Sequence, residues 1–133
     1  MDSNRKQGLD FERELCETLH QHGFWVHNLA QKAAGQPFDV IAARNGAAHP
    51  IDCKVCSNDR FVFSRIEQNQ FFAMKSWEET VMSSCWFAVK LSDASVWMID
   101  FASMEYIART QASIGEKEIR SYPSLNEWID YTP

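Results

Sequence analysis

Two charged side chains, Asp52 and Lys54, interrupt the short apolar run PIDCKV. Residues two apart in a strand project from the same face, so we expect the carboxylate and the ammonium side by side. Ile51 and Val55 beside them have core character, and burying a charge costs free energy unless the charge is paired or binds a metal ion. A chance ion pair, between these two residues or with Lys90, would explain the pattern structurally, whereas a hydrolytic site would explain it chemically.

A second carboxylate, Asp39, opens the apolar stretch FDVIAA directly after a proline. The dipeptide Asn45-Gly46 follows, and Asn-Gly is a strong signal for a two-residue β-hairpin turn. The hairpin would bring Asp39 near the level of Asp52 and Lys54. Two carboxylates on neighbouring strands, with a backbone carbonyl between them, form an all-oxygen site that suits Mg²⁺. A lysine beside such a site can activate a water molecule or neutralise charge on a phosphoryl oxygen.

Two predicted helices each carry one polar residue in the middle of an apolar face. On a helical wheel, Glu12 and Gln70 each lie within about 60° of four apolar residues. Glu12 is either an ordinary glutamate at the edge of the core or a carboxylate directed at a charged site on the sheet. Gln70 is either a core amide with local partners or a side chain that reaches the same site, because a buried amide needs hydrogen-bond partners.

The elements that must position these residues follow from periodicity, turn residues and caps. The sequence predicts helices over 5–22 and 65–78 and near 102–110, strands over 24–29, 38–43 and 50–55, and a strand pair formed by CWFAVKL and VWMIDF. Gly23 is a natural C-terminal cap for the first helix. A last helix begins at Ser124 with Glu127 three residues on, which is a capping box. The order αβββαββ, followed by C-terminal helices, predicts an α/β domain around a central mixed β-sheet.

The composition is typical of a compact globular protein. The chain has 133 residues, of which 45% are hydrophobic, so we expect residues 1–133 to form a single domain. No apolar run approaches the roughly 20 residues that cross a bilayer, and the N-terminal residues lack the apolar core of a signal peptide. These features predict a cytoplasmic protein without a membrane partner.

The net charge of −5 is unevenly distributed along the chain. Residues 1–75 carry nine Lys and Arg against nine Asp and Glu, whereas residues 76–133 carry four against nine. If a polyanion binds, we expect the first half to bind it, because phosphate contacts are made chiefly by Lys and Arg.

The cysteines number four, and Cys53 and Cys56 are separated by two residues. A zinc site usually needs four ligands, but no second such pair lies nearby. A redox pair sits at a helix start, but this one lies on a predicted strand. We expect reduced, structural cysteines, and a redox or zinc module is the weakest alternative function.

These residues resemble the motif of the PD-(D/E)XK nuclease superfamily. Here the motif reads Pro37-Phe38-Asp39, twelve intervening residues, then Asp52-Cys53-Lys54. The stretch KQGLDFERELCETLHQHGFWV resembles the opening of the archaeal Hjc-type Holliday-junction resolvases, and FVFSRIEQNQFF resembles the stretch after the D-x-K motif in Hjc and RecU. The segment AQKAAGQP is too short for the stalk that RecU places there, so the chain is more similar to Hjc. The resemblance implies a restriction-endonuclease-like core.

The resemblance also implies roles for the individual residues. Asp39, Asp52 and the backbone carbonyl of Cys53 would hold a divalent metal, Mg²⁺ with Mn²⁺ as a substitute. Lys54 would serve the attacking water, and Glu12 would complete the site as a ligand of the metal or the water.

Gln70 would support that site from its helix. The family cuts DNA phosphodiesters, and its resolvases act as symmetric homodimers, because paired cuts in a four-way junction require paired active sites. The resemblance therefore implies a Mg²⁺-dependent, structure-selective endonuclease acting on branched DNA, encoded by a prokaryote or a phage.

Basic residues on the first helix and the flanking loops are candidates for DNA-phosphate contacts, which are insensitive to sequence and sensitive to salt. We rank Lys32 first because its loop adjoins the metal-binding strands, and Arg5 and Lys6 could form an N-terminal arm. The full candidate set is Arg5, Lys6, Arg13, Lys32, Arg44, Arg60 and Arg65.

Two alternatives share the predicted fold. One is a nuclease of the same chemistry that acts on another DNA substrate, such as a restriction or repair enzyme. The other is a domain that binds DNA without cutting it. The presence of Glu12, Asp39, Asp52 and Lys54 together argues against a non-cleaving domain.

Overall fold

A computed structural model describes residues 2–29, 38–81 and 83–132. Five helices and seven strands are described in these ranges, together with one short 3₁₀ turn, Phe63–Arg65. In chain order the helices and strands are α1 (Asp2–Gln21), β1 (Trp25–Asn28), β2 (Val40–Arg44), β3 (Ala47–Val55), β4 (Arg60–Val62), α2 (Gln68–Val81), β5 (Trp86–Lys90), β6 (Val96–Asp100), α3 (Phe101–Ala108), β7 (Ser113–Gly115), α4 (Glu116–Ile119) and α5 (Leu125–Tyr131).

A five-stranded mixed sheet forms the centre of the molecule, in the order β1-β2-β3-β5-β6. Only the β3–β5 pair is parallel, and α2 supplies the crossover that a parallel connection requires. The other neighbouring pairs are antiparallel. This arrangement confirms the predicted α/β class and the order αβββαββ.

Two apolar layers cover the two faces of the sheet. On one face, α1 and α5 bury Phe11, Leu15 and Trp128 against the sheet. On the other face, α2 and α3 bury Met74 and Met104. The i, i+4 spacing of the apolar residues along α1 places them on the one stripe that faces the sheet, and Glu12 lies within that stripe.

The β2–β3 hairpin sets the level of the acidic residues. Asn45 and Gly46 have φ angles of 53° and 84°, as a two-residue hairpin turn of the type I′ kind requires. The turn fixes a register in which Val40 faces Ile51, so Asp39 lies at the level of Asp52. The predicted hairpin is therefore confirmed, together with the proximity of these two carboxylates along the strands.

Three local features differ from the prediction. Helix α2 begins at Gln68 rather than at 65, because Phe63–Arg65 forms a 3₁₀ turn that ends in extended backbone at Ile66. The strands β4 and β7 form a second, two-stranded sheet. The short helix α4 follows β7 directly. Elements of three or four residues carry too little periodicity to be identified from the sequence alone.

The C-terminal region closes one edge of the central sheet. Ser124 forms an isolated bridge with Trp97 of β6, and the amide of Met98 donates to the carbonyl of Pro123. Ser124 and Glu127 make both hydrogen bonds of the predicted capping box at the start of α5.

In the described part of the chain, no helix has the length and apolar character needed to cross a membrane. The four cysteines are free thiols, as predicted.

Candidate functional site

Asp52 lies at the centre of the candidate site, on β3, with only 1% of its surface exposed. Its Oδ1 accepts a hydrogen bond of 2.9 Å from Nε2 of Gln70 on α2. Its Oδ2 forms an ion pair at 3.0 Å with Nζ of Lys54, two residues along the same strand. The strand period of two places Asp52 and Lys54 on the same face, as the sequence predicted.

Gln70 is held in the orientation that reaches Asp52. The side chain is buried, and its Oε1 accepts a hydrogen bond of 3.2 Å from the backbone amide of Glu67. This contact leaves the amide nitrogen directed at Asp52. The structure therefore supports the hypothesis that the Gln70 side chain reaches the acidic residues, rather than the alternative of a core amide with local partners only.

Asp39 lies beside Asp52 at the start of β2. Its backbone amide donates to the carbonyl of Ile51 over 3.1 Å, which extends the hairpin by one residue. Its carboxylate oxygen Oδ2 accepts a hydrogen bond of 2.8 Å from the backbone amide of Cys53. The peptide unit between Asp52 and Lys54 therefore lies next to the carboxylate of Asp39.

Glu12 reaches the same cluster from α1. Its side chain is buried, and burial raises the pKa of its carboxyl to about 7; the Asp39 carboxylate adds to the rise, and the Lys54 ammonium opposes it. Glu12 of α1 therefore faces the hairpin residues closely enough for their charges to influence its pKa.

The carboxyl groups repel one another in this cluster. Burial raises the pKa of Asp52 above its ordinary value, and the Asp39 carboxylate adds to the rise, while the Lys54 ammonium opposes it. The raised pKa values mean that ionising these carboxyl groups is costly in the buried cluster, and a bound cation would favour their ionised forms.

The described residues fit a divalent cation with oxygen ligands. Residues 2–29, 38–81 and 83–132 contain no ready cluster of three His, Cys, Asp or Glu side chains of the kind that holds a metal, which gives no support to a zinc module. Mg²⁺ needs fewer side chains, because it retains several waters and binds through one or two carboxylates plus substrate phosphate. Asp39 and Asp52, together with a backbone carbonyl, match that requirement.

Several of the basic residues predicted to contact DNA have partners within the fold. The guanidinium of Arg44 donates to the backbone carbonyl oxygens of His22, Ile129 and Thr132, so it joins the hairpin to both terminal helices. The guanidinium of Arg65 donates to the carbonyl of Val55 over 2.9 Å. These contacts give the two arginines structural roles in this structure.

The remaining predicted contacts are more exposed. Lys6 and Arg13 form surface ion pairs with Asp10 at 2.8 and 2.7 Å, and exposed pairs of this kind are weak. Arg5 is exposed. Arg60 is exposed as well and donates to Ser113 Oγ over 2.8 Å. Lys32 and Pro37 lie outside the described residues.

One contact at the site could not be predicted from the sequence. Nζ of Lys54 donates to the backbone carbonyl of Arg65 over 3.3 Å, so the 3₁₀ turn before α2 helps to orient the lysine. A backbone acceptor has no sequence signature, because every residue carries a carbonyl.

Comparison with known proteins assigns this geometry to a family. The profile of the archaeal Holliday junction resolvases (Hjc) matches residues 3–130. The chain belongs to this family. Members of the Hjc family are DNA endonucleases that act on junctions, so the chain is a structure-selective endodeoxyribonuclease, as the sequence predicted. Nucleases of the PD-(D/E)XK type depend on metal ions in general, which is the chemistry that this site fits.

The fold agrees with that membership. The structure of Archaeoglobus fulgidus Hjc, a Holliday junction resolvase from an archaeal hyperthermophile, superimposes with a TM-score of 0.71 at 20% identity. The match covers 93% of this chain and 96% of the other. It confirms the restriction-endonuclease-like fold. A search of curated protein sequences gave no significant match.

Proposed function

We propose that this Hjc-family chain cuts four-way DNA junctions at a Mg²⁺ site formed by Asp39, Asp52 and the backbone carbonyl of Cys53, with Mn²⁺ as a working substitute. The observation that carries the proposal is the environment of Asp52. Its buried carboxylate is held by Gln70, crowded by Asp39 and paired with Lys54. Such an arrangement is costly for stability alone and suits a cation bound next to a phosphate.

Lys54 and Glu12 have separate roles in the proposed reaction. The Lys54 ammonium neutralises Asp52 in this structure and becomes available to the substrate phosphate once a cation takes that role. A positive charge placed there stabilises the negative charge that develops on the phosphoryl oxygens. Glu12, whose raised pKa favours proton exchange near neutrality, would position the attacking water; the described residues give no support to Glu12 as a third side-chain ligand of the cation.

A divalent cation, when bound, would polarise the phosphodiester and lower the pKa of a coordinated water. We expect residues of β3 and α1 to orient the substrate relative to the bound cation. The cytoplasm of a prokaryote, or of a phage-infected cell, is the compartment that we propose for the reaction, because the DNA substrate is found there.

The deciding experiment is cleavage of a synthetic four-way junction beside matched linear duplex, single-stranded and flap DNA. Each substrate is incubated with Mg²⁺ or with EDTA, using the wild type and Asp52→Asn. The exposed Asp130 at the end of α5 provides the matched control, because Asp130→Asn makes the same chemical change away from the site. We expect junction cleavage that is lost with EDTA and with Asp52→Asn and is retained with Asp130→Asn.

Other outcomes would change the proposal. Normal cleavage by Asp52→Asn would exclude the metal site described above. Cleavage of linear or flap DNA at the same rate would keep the site but assign a broader substrate range. Tight junction binding without cutting by the wild type would favour a binding-only role.

We further propose that the enzyme acts as a homodimer through the face of α2 around Phe72. A four-way junction needs two symmetric incisions, and a two-fold dimer supplies two active sites in matching orientation. Phe72 is 58% exposed, and it lines an apolar cavity of about 360 Å³ with Phe63, Phe71 and Met104. Phe72 is the exposed member of this group, whereas Phe63 and Phe71 are half-buried and Met104 is buried, and an exposed aromatic ring beside an apolar cavity suits a protein interface.

A further inference from the structure

A cavity of about 440 Å³ lies between the first half of α1 and the end of β3. Gly8 of α1 and Cys53 of β3 contribute to its lining, together with the exposed residues Asn58 and Arg65. Its volume falls within the range of about 300–1,000 Å³ that is typical of ligand sites. Cys53 is the one residue of the proposed metal site in the described lining, whereas the side chains of Glu12, Asp39, Asp52 and Lys54 do not contribute to it.

The position of the cavity is next to the proposed catalytic residues. Cys53 lies between Asp52 and Lys54 in the chain. Gly8 precedes Glu12 by four residues, so it lies one helical turn away on the same face of α1. The backbone carbonyl of Arg65, which also contributes to the lining, accepts a hydrogen bond from Nζ of Lys54. A molecule in the cavity would therefore extend directly to the catalytic cluster.

The chemistry of the lining suits a polyanion. Among the described residues that form it, Arg65 is the only charged side chain, and the others include the amides of Gln7 and Asn58. The adjacent cavity, which shares Gln7, Val55 and Ser57 with this one, also has Asp10, Glu14 and Lys90 in its lining. Because the cavity beside Gly8 has no carboxylate in its described lining, it offers a DNA strand no repelling charge.

The glycine in this wall is unexplained by protein packing. A Cβ built at Gly8 meets no atom within 4 Å among the described residues, apart from its chain neighbours and the backbone of its own helix. Its φ angle does not fall in the left-handed region that favours glycine. Glycine inside a helix lowers stability relative to alanine, so the fold bears a cost here that its own contacts do not require.

We infer that Gly8 keeps this cavity open for the DNA strand that is cut, and that the cavity seats the nucleotide adjoining the scissile phosphate. The inference rests on the nuclease function proposed above. Close approach of a ligand is one of the few reasons for glycine at a position with ordinary backbone angles. Gly8 is thus a positioning residue, because the absent side chain lets the strand reach the cation site beside Glu12.

The test compares Gly8→Ala and Gly8→Val with the wild type. Alanine has the higher helix propensity and meets no neighbour, so we expect its Tm to rise by several degrees. We expect its single-turnover cleavage of a four-way junction with Mg²⁺ to fall about tenfold or more, because misplacing a reacting group is costly. The larger side chain of Gly8→Val should slow cleavage further, whereas junction affinity should change little because many phosphate contacts contribute to it.

The matched control is Thr18→Ala, which also raises helix propensity in α1 but lies about 15 Å along the helix axis from Gly8. We expect this variant to cleave like the wild type. Wild-type rates for both Gly8 variants would overturn the inference and leave the nuclease function intact. Failure of the wild type itself to cut any DNA would overturn both proposals. Cleavage that slows from Gly to Ala to Val, together with a higher Tm for Gly8→Ala, would support the inference. A purely structural role of Gly8 predicts no such loss of cleavage.

Discussion

Gln70 connects the second long helix to the most buried carboxylate of the site. Replacing it by Ala would remove the hydrogen bond of 2.9 Å that Oδ1 of Asp52 accepts from Nε2 of Gln70. A buried charged acceptor left without its donor costs about 1–3 kcal/mol. We expect Gln70→Ala to lower the free energy of unfolding by that amount, measured in urea, and to slow junction cleavage.

The neighbouring residue on the same helix provides the control for Gln70. Asn69 is exposed, and exposed substitutions away from specific contacts usually change stability by less than about 0.5 kcal/mol. Asn69→Ala should therefore retain both stability and cleavage. Equal behaviour of the two variants would mean that the hydrogen bond to Asp52 contributes nothing to the site.

At the scale of elements, one side chain holds three of them together. The guanidinium of Arg44, at the end of β2, binds backbone carbonyl oxygens after α1 and at the end of α5, and its Cζ lies 4.0 Å from the ring centre of Phe24. We expect Arg44→Ala to lower the free energy of unfolding by about 2–4 kcal/mol, as measured by urea denaturation.

The same variant separates the structural role of Arg44 from the predicted DNA contact. Junction affinity per folded molecule should remain near the wild-type value at low denaturant. Arg109→Ala is the control, because Arg109 is exposed and is not among the predicted DNA contacts, so it should change stability by less than about 0.5 kcal/mol and leave affinity unchanged. Weakened binding by Arg44→Ala without a change in stability would restore the DNA-contact interpretation.

The positions of the site residues on their elements could be predicted because they follow local rules. The helical period placed Glu12 and Gln70 on inward faces, and both side chains are buried. The Asn45-Gly46 turn aligned Asp39 with Asp52, since a two-residue turn fixes hairpin register. Each of these inferences needs only a periodicity or a turn within about 20 residues of chain.

The parts that could not be predicted depend on contacts between distant residues. Strand β7 has three residues and is held by pairing with β4, some 50 positions earlier in the chain, which no local pattern encodes. The partners of Arg44 lie on carbonyl groups up to 88 residues away. A basic residue that serves the fold therefore has the same sequence signature as one that contacts DNA.

At the scale of the whole molecule, a buried histidine makes stability depend on pH. His49 is 8% exposed and packs edge-on against Trp128, and burial, with a smaller contribution from the Arg44 charge, lowers its pKa below the ordinary 6.5. The unfolded chain then binds a proton at a pH where the folded one does not. Its contribution to stability is therefore complete above about pH 6.5 and is lost as the pH falls through the folded pKa.

A comparison of variants isolates this effect. His49→Phe keeps an aromatic ring against Trp128 and removes the titrating group, so its advantage in unfolding free energy over the wild type should grow as the pH falls from 7 to 5. The exposed Gln21 provides the control, because Gln21→Phe introduces the same ring without removing a titrating group and should show no such growth. A pH-independent difference between His49→Phe and the wild type would mean that His49 titrates alike in the folded and unfolded states.

The homodimer proposed above depends on the exposed ring of Phe72. An acidic side chain in place of Phe72, whose ring is 58% exposed, would bury a charge in the proposed interface, and an unpaired buried charge is strongly unfavourable. We expect Phe72→Asp to convert a dimer into a monomer in light-scattering measurements of mass, and to uncouple the two incisions, so that nicked junctions accumulate.

Trp25 supplies the matched control for Phe72. It is also exposed, at 63%, but it lies on the edge strand β1 and does not contribute to the apolar cavity around Phe72. Trp25→Asp should therefore remain dimeric and make paired cuts. A dimeric Phe72→Asp together with a monomeric Trp25→Asp would move the interface to β1, the edge strand of the described sheet, because an edge strand can pair with another chain. A monomeric wild type that still makes paired cuts would show that two chains meet only on the junction, whose own symmetry would then align the active sites.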